Sequence, residues 1–445
     1  MALGPAGLES EIRSLGGVLR ALRSPGAWFY CTLALGAALR LFLAYATPGT
    51  VDVEIWQAHA HTVDERGLIE YYRGGRFIFN HPPTLGIAAS GLSALADATG
   101  LSFAFLFRLP FALLDALTAL LLFSALGQAR NENLHRARYA LTGLYWICPL
   151  SVIFSSYHGN TDSALAFFLL ASSLCLGRGK SAWAGALLGL SLWVKIPGLL
   201  ALPVLLLAAP SWRERFRFGA AFGGVALLGY LPWLLQDPES VIRAVFLYQG
   251  LVIQTTSGMP IWGLQIFYPD PADLSPTLLD WFRRFRAGYY EWNTLVALGP
   301  IAVYALLRAP RKDLESILAG IAGSYFILYG LTNFWAFQYL AWALPLWPFL
   351  GFRLATLAQI TASLYIYGLY AWLSGSPILV GEWDFIGQAI WPSSLVGLRD
   401  ACFLFFFGSA FYLLARASRE AWRKPKKLGG ETGGFRAVRE GDVEG

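Results

Sequence analysis

Charge is scarce in this chain: Asp, Glu, Lys and Arg make up 14% of 445 residues, while 56% are hydrophobic. A soluble globular domain carries about 25% charged residues, so that class is excluded and the composition points to a polytopic membrane protein. Cysteine is scarce too. Cys31, Cys148, Cys175 and Cys402 fall in apolar stretches without paired spacing, which excludes a disulfide framework and a cysteine-based metal site. The basic excess of +6 is not gathered into a patch. Its residues sit in short connections and near the carboxyl terminus, as the positive-inside rule requires, and nucleic acid is excluded as a partner. No internal repeat is visible, so the sequence sign of a transporter built from two related halves is missing. Residues 1–26 carry Arg13, Arg20 and Arg23 but no short apolar core with a small-residue cleavage site. They read as a cytoplasmic lead-in rather than a signal peptide.

What remains is apolar and aromatic. Seventeen Trp and twenty Tyr are enough for interfacial belts, and they serve helix packing equally well. Residues 27–46 form a first span, long enough to cross a bilayer, with Arg40 near its far end, placed to snorkel or to face a polar cavity. Further apolar stretches recur up to residue 416. Backbone groups in lipid have no partner outside a helix, so the expected fold is an all-α transmembrane helix bundle of about 12–13 spans over residues 27–416. Arg178 and Lys180, then Arg213, Arg215 and Arg217, then Arg308, Arg311 and Lys312, and finally the basic segment 417–445 mark cytoplasmic connections. Residues 47–81, 157–162, 236–293, 332–338 and 374–400 then share the outer side. The loop between Arg130 and Arg138 joins the cytoplasmic set only if one of the stretches 82–98 and 104–126 does not cross. The first is shorter and less apolar, which suits a re-entrant or interfacial helix. In the long loop 236–293, Pro260, Pro269, Pro271 and Pro276 exclude one continuous helix and leave room for short amphipathic ones. The tail 417–445 has the composition of a disordered segment.

The densest polar chemistry lies in residues 51–85, which hold Asp52, Glu54, His59, His61, Asp64 and Glu65 and end in Asn80-His81-Pro82-Pro83. In extended chain Asp52 and Glu54 face the same way; on a helix they stand about 200° apart. Either arrangement offers a carboxylate as general base or as ligand to a divalent cation such as Mg or Mn, and a solvated loop carries such pairs as well. Pro82 and Pro83 mark the start of the next helix, because a first-turn proline costs no backbone bond.

Four segments in this order resemble integral membrane glycosyltransferases of the GT-C type, which use polyprenyl-phosphate sugars. They are similar to the mannose-dependent members, including the GPI-mannosyltransferase-like group and the bacterial group similar to glycosyltransferase family 87. Asp52-Val53-Glu54 with Asn80-His81-Pro82-Pro83-Thr84-Leu85 resembles the family's first outer loop. Ser156-Tyr157-His158-Gly159-Asn160-Thr161-Asp162 resembles its second polar patch. Val194-Lys195-Ile196-Pro197 is similar to a lysine segment usually written K-I-Y-P, without the tyrosine. Gln338-Tyr339 followed by Trp342 is similar to a late QY-x-x-W element.

The resemblance implies inverting transfer of a hexose, mannose before others, from a polyprenyl-phosphate donor to a glycolipid, lipid-linked glycan or protein acceptor. Transfer would take place at the outer face of a membrane, and the Arg-rich, Lys-poor composition favours a bacterial plasma membrane. Asp52 is the implied base and Glu54 its partner, or both are metal ligands; no cofactor is otherwise implied. Lys195 is placed to meet the donor phosphate, while His158, Asp162, His81, Gln338 and Tyr339 are candidates for holding sugar or phosphate. The competing class is a transporter or lipid flippase, which needs polar residues near mid-membrane.

Overall fold

The computed structural model describes residues 25–74, 79–248, 253–309 and 311–422. Most of the lead-in and most of the tail therefore lie outside the described residues. The described chain is helical throughout, and its one β-contact is the isolated bridge Gln254↔Pro260. The all-α polytopic bundle expected from composition is what forms.

Helix α1 (Pro25–Ala46) is an unbroken apolar run. A short turn leads to α2 (Val51–Arg66), which starts where Thr50 caps it and where Asp52 and Glu54 occupy the first turn, a position that the helix dipole favours for acids. Gly67 stops it with φ 79°, and α3 (Leu68–Arg73) follows. Helix α4 (Pro83–Thr99) begins at the two prolines and packs along α2, with Ser90 hydrogen-bonded to Asp64. This is the stretch 82–98, which is not among the helices long and apolar enough to cross a membrane alone. Helix α5 (Phe103–Gly127) then runs the length of the bundle to the loop 130–138.

From there the chain alternates between two ends. Helices α6 (Arg138–Ile147) and α7 (Pro149–Ser156) make one pass bent by 47°. Helix α8 (Asp162–Gly177) descends and α9 (Ser181–Ser191) returns. A 3-10 turn (Ile196–Ala201) and α10 (Leu202–Ala208) form the next pass, and α11 (Trp212–Leu228) packs against α9. After the long loop with its amphipathic helix α12 (Pro276–Glu291) come α13 (Asn293–Arg308) and α14 (Leu314–Leu331). Two more 3-10 segments (Phe337–Ala341 and Leu344–Leu350) precede α15 (Phe352–Leu373) and α16 (Ser393–Trp422).

Among the described residues only four helices are long and apolar enough to cross a membrane alone, or five counting the bent pair. The other passes of the bundle are built from shorter apolar helices. Pro149, Pro197, Pro203, Pro345 and Pro348 break several passes into short helical pieces, as proline does where it removes a backbone donor.

Basic connections gather at one end. The Glu315 carboxylate accepts from the Asn131 amide at 2.9 Å, Lys312 Nζ donates to Pro210 O at 3.1 Å, and Glu420 receives Arg308 (3.5 Å), Arg311 and Arg416 (2.8 Å). Loop 130–138 thus joins the other basic loops, as it must if α4 does not cross. The opposite end collects the turns after α1, α7 and α14, together with the long loop.

Two buried arginines hold the helices in place. Arg40 does not snorkel: its side chain is 2% exposed and paired with Asp115, whose other oxygen takes the Tyr145 hydroxyl. Arg40 also donates to Trp146 O at 2.6 Å, so α1, α5 and α6 share one satisfied polar cluster. Arg108 finds only neutral acceptors, Thr47 O at 2.8 Å and Tyr157 O at 3.3 Å, and so ties the turn before α2 to the turn after α7.

Candidate active site

The turn after α7 approaches α2 closely enough that only glycine fits at its bend. Gly159 has φ 75°, and a Cβ there would lie 2.2 Å from Val53 Cγ2. With the bend pressed on α2, Asn160 Nδ2 donates to Asp52 Oδ2 at 2.6 Å and His158 Nε2 lies 3.1 Å from the same oxygen. His158 is buried and its Nδ1 meets the Tyr370 hydroxyl of α15. Asp52 keeps a quarter of its side chain exposed and faces a cleft of about 550 Å³.

The cleft is lined by polar and apolar residues together. Asp52, Asn80, His81, Asn160, Lys195 and Gln338 are among the polar ones, and Leu199, Leu200, Val245, Ala297, Leu298 and Leu328 among the apolar ones. Tyr339 and Trp342, stacked with ring centres 4.0 Å apart, form part of its wall, as do Trp56 and His59. Lys195 reaches the cleft because the helical pass is broken there: its backbone is extended (φ −152°, ψ 128°), between the end of α9 and the Ile196–Ala201 turn. Its Nζ is 3.2 Å from Asp162 Oδ2, and the Trp342 indole N–H donates to the other oxygen of Asp162.

Electrostatics separate the titrating groups. Burial raises the Asp52 pKa, but His158, the Asn160 amide and Lys195 offset this and hold the carboxyl below its ordinary value. Burial lowers His59 to about 4 despite the nearby Asp52, and it lowers His81 well below its ordinary value with help from Lys195 and His59. Near neutral pH the cleft therefore presents one ionised carboxylate and two uncharged imidazoles.

Of the candidates expected from sequence, Asp52, His81, Lys195, Gln338 and Tyr339 are brought together around one cleft. His158 and Asp162 are not on its surface; they sit one layer behind, against Asp52 and Lys195 respectively. Glu54 is the displaced candidate. Residue 52 begins a helix rather than an extended strand, so Glu54 turns to the opposite face and is exposed. The Asp52–Glu54 pair consequently forms no chelate, and among the described residues no group of three or more His, Cys, Asp and Glu is placed to hold a metal ion. Sequence reasoning missed Trp56, His59 and Tyr370 as members of this neighbourhood. Trp56 and His59 had a usable signal, lying one and two helical turns beyond Asp52; Tyr370 had none, because a tyrosine in an apolar helix reads as packing.

Comparison with known proteins identifies the family. The catalytic subunit of GPI alpha-1,4-mannosyltransferase I from Danio rerio is 36% identical over 153 residues. That match covers 34% of this chain and 36% of the relative, so the chain spans about a third of the relative's length. The description of glycosyltransferase family 87 fits residues 79–332, which include His81, His158, Asp162 and Lys195 and leave Asp52, Gln338 and Tyr339 outside. With more than half of its length matched, this multi-pass chain is a member of glycosyltransferase family 87 and not the transporter that its many spans also suggest.

Proposed function

We propose that the protein transfers mannose from a polyprenyl-phosphate donor to a glycolipid, lipid-linked glycan or protein acceptor by inverting displacement, with Asp52 as the general base. The observation that carries this reading is the presence of Asp52 and Lys195 in one cleft whose lining is both polar and apolar. A donor of this kind has a sugar, a phosphate and an isoprenoid tail, and the cleft offers each a matching surface. The acceptor hydroxyl loses its proton to Asp52 as its oxygen bonds to the anomeric carbon. The bond from that carbon to the phosphate oxygen breaks, and the lipid phosphate leaves as an anion that needs no strong acid. Lys195 stands where its fixed charge would stabilise that anion as it develops. Uncharged His81, together with Asn80 and Gln338, supplies hydrogen bonds suited to sugar hydroxyls. The relative's name supports mannose as the sugar. The gathering of basic loops at the far end supports a cleft on the non-cytoplasmic face, and a bacterial plasma membrane remains the favoured setting.

The test is Asp52→Asn in proteoliposomes, following loss of a mannosyl-phosphopolyprenol by mass spectrometry. Removing a general base should lower turnover about 10²- to 10⁴-fold while thermal stability stays near wild type. Turnover within a factor of a few of wild type would remove Asp52 as the base.

A further inference from the structure

The two oxygens of Asp52 are not equivalent. Oδ2 receives Asn160 Nδ2 at 2.6 Å and faces His158 Nε2 at 3.1 Å, whereas among the described residues no hydrogen bond is formed by Oδ1. His158 is itself held from behind. Its Nδ1 lies within hydrogen-bonding reach of the Tyr370 hydroxyl, and its Nε2, which among the described residues has no partner in hydrogen-bonding geometry, has Asp52 Oδ2 as its polar neighbour at 3.1 Å. Both residues are buried, Tyr370 completely, and neither lines the cleft.

The proton placement follows from these contacts. A neutral imidazole has one donor nitrogen and one acceptor nitrogen. If Nδ1 carried the proton, the bare lone pair of Nε2 would point at a carboxylate oxygen 3.1 Å away, which is repulsive. If Tyr370 donates to Nδ1, the proton sits on Nε2 and both contacts are attractive. The carboxylate thus selects the tautomer, and the phenol hydroxyl, which can donate or accept, completes it by donating to Nδ1.

We propose that His158 and Tyr370 are positioning residues for Asp52, engaging Oδ2 so that Oδ1 is the atom that accepts the proton from the acceptor hydroxyl. This rests on Asp52 being the base. The step balances: the acceptor O–H bond breaks, its proton goes to Oδ1, the new C–O bond forms at the anomeric carbon, and the bond to the donor phosphate breaks. Neither His158 nor Tyr370 touches substrate. Their work is to fix the carboxylate plane and to keep it ionised; the influence of His158 on the Asp52 pKa is in that direction. Asn160 is the second anchor on Oδ2 and keeps the carboxylate in place when His158 is changed.

The test uses the full chain in proteoliposomes with a mannosyl-phosphopolyprenol, comparing Tyr370→Phe, His158→Gln, His158→Ala and Asp52→Asn across pH. Tyr370→Phe and His158→Ala should lower kcat by up to about a hundredfold, with little change in donor KM, as expected for a misplaced reacting group. The acid limb of the pH profile should move to higher pH, since a carboxylate that loses a donor protonates more readily. His158→Gln, whose amide N–H₂ stands in for Nε2–H, should recover part of both effects. Wild-type kcat and an unmoved acid limb in His158→Ala would overturn the proposal, as would a His158→Gln no better than His158→Ala. An active Asp52→Asn would instead overturn the base assignment, so the two failures are distinguishable.

Discussion

Replacing Lys195 by methionine separates what this residue does for folding from what it does for substrate. Nζ lies 3.2 Å from Asp162 Oδ2, with the lysine side chain 12% exposed and the aspartate 1%. At an effective dielectric of about 20, two unit charges at that separation attract by about 5 kcal/mol. Removing one partner of a buried pair costs about 3–5 kcal/mol, mostly from stranding the other charge. The lower end applies, because Lys195 borders the open cleft and the Trp342 indole still satisfies one oxygen of Asp162. Lys195→Met should therefore lower the unfolding midpoint in detergent, and Lys195→Met with Asp162→Asn should recover most of it, the amide oxygen still accepting from Trp342. Donor binding should not recover. A charge-assisted hydrogen bond to the phosphate contributes about 1.5–3 kcal/mol, roughly a ten- to hundredfold rise in donor KM that persists in the double variant. The assay is donor consumption as a function of donor concentration, with thermal unfolding followed in parallel. If donor KM returned to the wild-type value together with stability, Lys195 would be a structural partner of Asp162 and the phosphate role would fall.

Two further expectations concern stability. Arg40→Met leaves Asp115 buried with its charge uncompensated and should cost about 3–5 kcal/mol, whereas Arg40→Met with Asp115→Asn should be far closer to wild type; equal midpoints for the two variants in chemical unfolding would contradict the burial argument. His59 is held at about 4 chiefly by burial, against an ordinary value near 6.5. The unfolded chain then takes up a proton that the folded chain refuses, so stability is full above about 6.5 and falls as pH drops toward 4. His59→Gln should flatten that part of the midpoint-against-pH curve, and a curve of unchanged slope would place the titration elsewhere.

How much of this was legible beforehand depends on the range of the signal. The bundle was readable because lipid leaves the backbone few alternatives. Pro82 and Pro83 fixed the start of α4 from local chemistry alone. Asp52, Lys195, His81 and Gln338 were found as residue types at motif positions, and their meeting in one cleft required only that their loops share an end. Glu54 stands away from the cleft for a local reason: residues 51–66 form a helix capped by Thr50, which puts Glu54 on the face opposite Asp52. His158 and Asp162 stand behind the cleft for a different one. Their polarity was visible, but whether such a group faces substrate or stands behind the residue that does is set by contacts far apart in sequence, Tyr370 with His158 and Trp342 with Asp162. A buried tyrosine or tryptophan in an apolar segment carries no mark of its partner. The two carboxylates of this site nevertheless divide by the same physical rule. Asp52, beside Asn160 and His158 and open to the cleft, is placed to take a proton in the proposed reaction, while Asp162, closed in by the Lys195 ammonium and the Trp342 indole, is placed to hold Lys195 where the helix breaks.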